Sequence, residues 1–149
     1  MFEKDFDEAL FRFLIKFGAL DPDVREAVER SARTAHVTAA EALCDGGWIE
    51  ENALADLLQT QLRLPRVGVD ETPNAADGLD RDLLRAHLVV ATAVNDDRLL
   101  LAMVNPFDHA IIERLRFASG RRVVPAVALL SEVRAVHQQW SPVTEEPSE

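Results

Sequence analysis

The sequence predicts an α+β protein in which an N-terminal helical subdomain precedes a small three-stranded β-β-α-β-α sandwich. Apolar residues recur at spacings of three and four up to about residue 67, which indicates amphipathic helices. From residue 89 onward, two short apolar runs flank a turn sequence, and a helical pattern then separates them from a third apolar run. The predicted boundaries are a helical subdomain over 1–67, an acidic linker over 68–82, an αβ subdomain over 83–140 and a disordered tail over 141–149.

The helical subdomain is predicted to contain four helices, each delimited by local end signals. Gly18 ends the first helix, and Asp21-Pro22 begins the second because Pro is favoured in a first helical turn. Thr38 is a good N-cap for a third helix, which ends at Gly46-Gly47. The fourth helix is expected over Glu50–Leu62, so the subdomain is predicted to be a four-helix unit.

The αβ subdomain begins with a predicted hairpin. Val89–Val94 and Arg98–Val104 are short apolar runs, and Asn95-Asp96-Asp97 between them is typical of a turn. Asn105-Pro106 ends the second strand because Pro has no N–H to donate to a sheet. A short strand at Arg66–Val69 is an additional expectation.

A helix, a third strand and a last helix complete the predicted subdomain. Asp108 occupies an N-cap position before a helical pattern, and Gly120 is the expected end of that helix. Val123–Leu129 is the third strand, and Ser131 is predicted to cap the last helix. The segment 68–82 lacks apolar periodicity and is rich in acids, so we expect a loosely packed linker there.

Composition argues against several classes of function. The chain has 149 residues and a formal net charge of −10, which disfavours binding to nucleic acid or to an anionic membrane surface. No apolar stretch approaches the roughly 20 residues of a membrane-spanning helix, and the acidic N-terminus is unlike a signal peptide. The single cysteine, Cys44, suits a reducing compartment. We therefore expect a cytoplasmic protein that neither binds nucleic acid nor inserts into a membrane.

Residues with catalytic or metal-binding chemistry form no recognisable motif. His36, His87, His109 and His137 are scattered, without a Cys or carboxylate at ligand spacing. Cys44 lies on the apolar side of the third predicted helix, so we expect a buried, unreactive thiol. The sequence also lacks the P-loop string Gly-x-x-x-x-Gly-Lys-[Ser/Thr], which holds nucleotide phosphates. We expect no enzyme activity, no metal and no cofactor.

A set of short motifs runs through most of the chain in a fixed order. A Leu-x-x-Pro-x-Val segment follows the fourth helix, an Ala-Met-x-Asn-Pro-x-Asp segment ends the hairpin, and Phe-x-x-Gly ends the next helix. The positions concerned are Leu62, Pro65, Val67, Val69, Ala102, Met103, Asn105, Pro106, Asp108, Phe117 and Gly120. Through these motifs, from about residue 8 to residue 140, the chain resembles the N-terminal domain of the ATPases of type II secretion and type IV pilus assembly. The resemblance implies the accessory domain without the motor, either as a free-standing protein or as a fragment of a longer ATPase.

Some N-terminal domains of this family bind cyclic di-GMP through two tandem motifs, each of which starts Arg-Leu-Gly and ends Leu-x-x-x-Leu-x-x-Gln. The resemblance places two positions in a first copy and five in a second, namely Leu14, Gly18, Leu43, Gly47, Leu54, Leu58 and Gln61. Both motif starts are missing, because the sequence has Ala9-Leu10-Phe11 and Thr38-Ala39-Ala40 there. An arginine at a motif start would stack on guanine or pair with phosphate. Arg12 and His36 lie nearby and are the alternative cations. Nucleotide sensing is the less favoured alternative.

The function that the resemblance implies is protein docking. In type II secretion ATPases the corresponding domain binds the cytoplasmic portion of an inner-membrane platform protein, which would recruit the chain to that membrane. Another secretion or motility component, or a second copy of the chain, is an alternative partner. The first helix carries a predicted aromatic stripe that comprises Phe2, Phe6, Leu10, Phe13 and Phe17. The predicted partner-binding surface is part of this stripe, with Phe2 and Phe6 as its expected exposed members, followed by Leu10 and Phe13. The alternative is that this stripe packs inside the helical unit.

Overall fold

A computed structural model of the chain describes residues 5–68 and 79–144. These residues form seven α-helices and one three-stranded sheet, so the predicted α+β class is confirmed. The helical half contains α1 (Asp5–Lys16), a 3₁₀ turn (Pro22–Val24), α2 (Arg25–Ala35), α3 (Ala39–Asp45) and α4 (Glu51–Leu62). The αβ half adds α5 (Arg81–Ala86), α6 (His109–Ser119) and α7 (Leu130–Thr144) to the sheet.

The sheet consists of β1 (Val89–Ala93), β2 (Arg98–Met103) and β3 (Arg122–Val127), and β2 is its central strand. β1 and β2 form the predicted antiparallel hairpin. β2 and β3 run parallel, with Arg98 opposite Arg122. A parallel pair requires a crossover connection, and α6 supplies it.

Most predicted helix ends lie where the sequence indicates. Thr38 caps α3 through a capping box, and Asp108 caps α6 by accepting a backbone N–H with its side chain. Gly120 ends α6 with a φ of 70°, in the left-handed region that glycine adopts without strain. These signals are local in sequence, which is why they predict the structure well.

The start of α7 differs from the prediction. The helix begins at Leu130, so Ser131 lies in its first turn and is not the N-cap. Glu51 of α4 supplies the capping oxygens instead, because its carboxylate accepts the N–H and the hydroxyl of Ser131, both at 2.8 Å. A carboxylate at a helix N-terminus is electrostatically favourable, and this one also joins α7 to the helical half.

The two faces of the sheet bury separate sets of side chains, because successive strand residues point to opposite faces. One cluster lies between the sheet and the helices α5 and α6, and its largest buried members are Leu99, Leu101, Met103, Ile111 and Leu115. The other cluster joins the opposite sheet face to α7 and the helical half, and includes Leu10, Leu14, Leu43, Leu58, Val90, Val127 and Val133. Both halves of the chain therefore contribute side chains to this second cluster.

Two of the predicted subdomain boundaries fall in segments that the structure shows to be helical. Most of the predicted linker over 68–82 lies outside the described residues, but its last residues begin α5, a helix that the sequence analysis does not include. The side chain of Asp80 caps α5 by accepting the N–H groups of Asp82 and Leu83. α7 continues to Thr144, so the predicted start of the tail at residue 141 falls inside this helix. The rest of the predicted tail lies outside the described residues.

Candidate interaction surfaces

The leucines at the nucleotide-motif positions are part of the helical core. Leu14, Leu43, Leu54 and Leu58 are all buried, and each packs in the cluster that spans both halves. Their side chains therefore contact other residues of the chain. Gln61, at the end of α4 and of the second motif copy, is exposed.

The two motif glycines form the turns that follow α1 and α3. Gly18 has a φ of 75° and Gly47 a φ of 79°, and both residues are exposed. A residue with a Cβ atom would be strained in this left-handed conformation. The left-handed turns that end α1 and α3 are therefore sufficient reason for glycine at both positions. Because glycine has no side chain, the backbone there is also open to a ligand.

The first motif start is occupied by an enclosed arginine–phenylalanine pair. The ring of Phe11 is 2% exposed, and the guanidinium carbon of Arg25 lies 4.8 Å from its centroid. Arg25 also forms ion pairs with Glu8 and, at 3.2 Å, with Glu29. The hydrogen bond from Arg25 holds the pKa of Glu8 below its ordinary value. Arg25 is therefore already paired within the protein, and Arg12, which follows the motif start directly, forms an exposed ion pair with Glu8 at 3.2 Å.

The second motif start is equally closed. Thr38 forms the capping box of α3 with Glu41, and Ala39 and Ala40 are buried. No cationic side chain stands at these three positions. The site therefore lacks the group that would bind a phosphate or stack on a guanine.

The structure divides the predicted partner-binding stripe of α1. Leu10 and Phe13 are buried in the core, so the prediction that they bind a partner is not supported by their positions. Phe6 is half-buried, with its ring centroid 5.9 Å from that of His87. Phe17, at the end of the stripe, is 40% exposed, and Phe2 lies outside the described residues. The stripe packs inward because α1 lies against α3.

The structure also joins His87 to Asp108, a pair that is 21 residues apart and has no sequence signature. The Nδ1 atom of His87 contacts one carboxylate oxygen of Asp108, whose other oxygen caps α6. Among residues 5–68 and 79–144, no group of three or more metal-binding side chains gathers around this or any other point. The pair fixes the start of α6 against the end of α5.

Two other titratable groups are shifted by burial. Burial raises the pKa of the Cys44 thiol to about 11, with smaller contributions from Glu51 and Asp45, which agrees with the expected unreactive thiol. Burial lowers the pKa of His137, whose Nε2 atom lies 2.9 Å from the carbonyl oxygen of Val89. Both groups are therefore held in their neutral forms at neutral pH.

An apolar groove of about 290 Å³ lies where the helical half meets the αβ half. Its lining includes Leu62, Leu64, Phe107, Ile112 and Pro125. The chain after α4 is held along β3, because the N–H of Val67 donates to the carbonyl of Val127 at 3.0 Å. Arg66 forms an isolated bridge with Val127 at the position of the expected short strand. The Leu-x-x-Pro-x-Val motif thus attaches the helical half to the sheet.

A second concavity, of about 420 Å³, lies where α6 ends and β3 begins. We call it the α6–β3 patch, and its residues are Arg116, Phe117, Gly120, Arg121 and Arg122. Phe117 is 79% exposed, the largest exposed fraction of any large apolar side chain that the structure describes. The guanidinium carbon of Arg116 lies 5.4 Å from the centroid of its ring. The patch thus combines three cations with an open aromatic ring, which sequence analysis does not predict.

Comparison with known proteins defines the class to which this fold belongs. The MshEN domain family matches residues 62–146, more than half of the chain, and the chain therefore belongs to that family. The expected relation to the N-terminal domains of type II secretion and type IV pilus ATPases is confirmed. The type IV pilus assembly ATPase PilB of Myxococcus xanthus (strain DK1622) is 26% identical over 102 residues, which cover 66% of this chain and 18% of PilB. The chain thus spans about a fifth of the length of that relative.

Solved structures share most of the fold. The N-terminal domain of XpsE matches with a TM-score of 0.64 and 21% identity, covering 90% of this chain and 95% of that one. A structure of MshE with cdg matches with a TM-score of 0.59 and 18% identity, covering 88% and 97%. These two likenesses concern the fold. In the part of the chain that the structure describes, no helix has the length and apolarity needed to cross a membrane.

Proposed function

We propose that this chain is a non-catalytic docking domain of a type II secretion or type IV pilus system, and that it binds the cytoplasmic domain of an inner-membrane platform protein. Membership of the MshEN family and the match to a type IV pilus assembly ATPase support this setting. One observation carries the proposal: the leucines at the nucleotide-motif positions are packed into the core of the chain itself. Because these leucines are not available to pack against a purine, the fold is better suited to binding a protein than a nucleotide.

The energy of that packing argues against nucleotide entry. Leu14, Leu43 and Leu58 are fully buried, and exposing one buried leucine forfeits about 1.5–3 kcal/mol. Arg25 already binds two carboxylates, Glu8 and Glu29, so a nucleotide phosphate would have to compete with both. A purine at this position would therefore disrupt contacts that stabilise the helical half.

The environments of Asp108, Cys44 and His137 support a non-catalytic function. Asp108 caps α6 while it contacts His87. The Cys44 thiol, with a pKa of about 11, stays protonated at neutral pH, whereas a nucleophile requires the thiolate. His137 is engaged with the backbone of β1.

Cyclic di-GMP sensing is the second candidate function. It is favoured by the fold shared with MshE with cdg, where cdg denotes cyclic di-GMP. The turns at Gly18 and Gly47 are exposed and open to backbone approach, and the amide of Gln61 lies on the surface. These features offer hydrogen bonds to a nucleotide, and Arg12 beside the first motif start is an exposed cation, although it pairs with Glu8 at 3.2 Å.

Calorimetric titration distinguishes the two functions. We expect the purified platform-protein cytoplasmic domain to bind with micromolar or tighter affinity, about −8 kcal/mol or more favourable, and cyclic di-GMP to give no saturable heat. Gln61→Ala is the matched variant, because this exposed side chain can be removed without disturbing the core. Micromolar binding of cyclic di-GMP that Gln61→Ala weakens would favour the sensing function. Absence of binding to the platform domain would contradict the docking function.

A further inference from the structure

We infer that the α6–β3 patch is the docking surface, and that it takes an acidic protein segment which also carries an apolar side chain. The inference rests on the proposed docking function and adds to it the surface and the chemistry of the partner. The patch offers one large apolar side chain, Phe117, among three arginines. Arginine and aromatic residues are the types that contribute most energy at protein interfaces.

The exposure of Phe117 is not explained by the core of the protein. Ile111 and Leu115 mark the buried face of α6, and Phe117 follows Leu115 by two positions, which places it on the opposite side of the helix. An exposed phenylalanine forgoes the burial free energy that a core position would give. A partner that covers the ring recovers this energy, and the concave space beside it provides room for an apolar side chain.

The charges of the patch are also not explained internally. Arg122 lies opposite Arg98 in the β2–β3 register, and no carboxylate among residues 5–68 and 79–144 pairs with either side chain. Neighbouring like charges on adjacent strands are unfavourable. Arg116 pairs with Glu113 at 2.6 Å, but both side chains are more than half exposed, so this ion pair contributes little. Arg121 donates from its guanidinium to the backbone carbonyl of Asp96 at 3.3 Å, which is an uncharged acceptor. These cations stand in a chain whose formal net charge is −10.

The net negative charge of the chain also favours a short acidic segment over a nucleic acid or an anionic membrane as the partner. A nucleic acid or an anionic bilayer presents many negative charges to the whole acidic protein, and repulsion outside the patch opposes the attraction within it. A short acidic segment presents only a few charges, and these act within about 10 Å at ordinary salt concentration. It can therefore pair with Arg121 and Arg122 while its apolar residue covers Phe117.

The test measures binding of two probes to the full chain. The first probe is the cytoplasmic domain of the platform protein, and the second is a fluorescein-labelled peptide of alternating Glu and Leu, with a Gln–Leu peptide as its counterpart. Phe117→Ser and Arg122→Glu should each weaken both interactions at least about 10-fold, and higher salt should weaken them further. Arg33→Glu makes the same change of charge on the exposed face of α2 and should change affinity less than about 2-fold.

The outcomes separate the inference from the function on which it rests. If the unsubstituted chain fails to bind the platform domain, the docking function itself is wrong. If it binds but Phe117→Ser and Arg122→Glu bind equally well, docking stands and the α6–β3 patch is not its surface. Equal binding of the Glu–Leu and Gln–Leu peptides, or an Arg33→Glu effect as large as that of Arg122→Glu, would overturn the acidic chemistry. Binding to phosphatidylserine vesicles that the patch variants abolish, without peptide binding, would overturn it in favour of a lipid surface.

Discussion

Two arginine–phenylalanine pairs occupy opposite situations in this molecule. In the helical half, Arg25 lies over Phe11, which is 2% exposed. In the αβ half, Arg116 lies over Phe117, which is 79% exposed. The centroid distances are similar, 4.8 and 5.4 Å. The two pairs contain the same residue types and differ in how far the phenylalanine ring is buried.

The ion pairs around the two arginines differ in the same sense. Arg25 of α2 binds Glu8 of α1, 17 residues away, and also Glu29 of its own helix. Arg116 binds Glu113, three positions earlier on its own helix. Arg25 therefore joins two helices, whereas Arg116 makes an ion pair within its own helix only. We infer from this contrast that the enclosed pair serves stability and the open pair serves binding.

The largest expected difference between the pairs concerns truncation of the two rings. Phe11→Ala should lower the free energy of unfolding by about 3–5 kcal/mol, because it removes a fully packed ring from the core. Phe117→Ala should change it by less than about 0.5 kcal/mol, because the ring is on the surface. Urea denaturation followed by circular dichroism measures both values. Equal losses would contradict the division into a structural pair and an open pair.

A smaller difference is expected in the coupling between each ring and its arginine. A double-mutant cycle with Phe11→Leu and Arg25→Gln should give about 1 kcal/mol, because the enclosed cation is partly desolvated. The corresponding cycle with Phe117→Leu and Arg116→Gln should give about 0.5 kcal/mol or less. Leucine keeps most of the apolar bulk while removing the aromatic face. A larger coupling in the exposed pair would contradict the comparison.

The smallest expected effect is a pH dependence that reports on the enclosed part of the molecule. Burial lowers the folded-state pKa of His137 below its ordinary value of 6.5. Below about pH 6.5 the unfolded chain therefore binds a proton that the folded chain does not, and stability falls as the pH falls. His137→Gln, which keeps a donor for the carbonyl of Val89, should lose this component between pH 7.5 and 5.5. An identical pH dependence in both proteins would show that His137 is not held neutral.

Local signals account for most of what the sequence predicts correctly. Thr38, Asp108 and Gly120 act within a few residues of their own positions, and the structure uses each as expected. The hairpin of β1 and β2 is likewise encoded by two apolar runs and the turn between them. The short helix α5 could have been predicted from the same kind of signal, because Asp80 is a good N-cap.

The features that sequence analysis missed depend on contacts between distant residues. His87 and Asp108 come together only because the sheet places α5 beside the start of α6. The capping of α7 by Glu51 depends on a side chain 80 residues away in sequence. The apolar stripe of α1 does not reveal whether Leu10 and Phe13 meet a partner or their own core. Exposure of Phe117 is also a tertiary property, since the residue lies in an ordinary helical pattern.

The central claim is that the chain docks a protein through its open arginine–phenylalanine pair, and amide chemical-shift mapping tests it most directly. Unlabelled platform-protein cytoplasmic domain is titrated into the ¹⁵N-labelled chain, and the same measurement is repeated with cyclic di-GMP. We expect shift changes concentrated between Arg116 and Arg122 on adding the protein, and none on adding the nucleotide. Shift changes concentrated at Gly18, Gly47 and Gln61, with the α6–β3 patch unaffected, would contradict the claim.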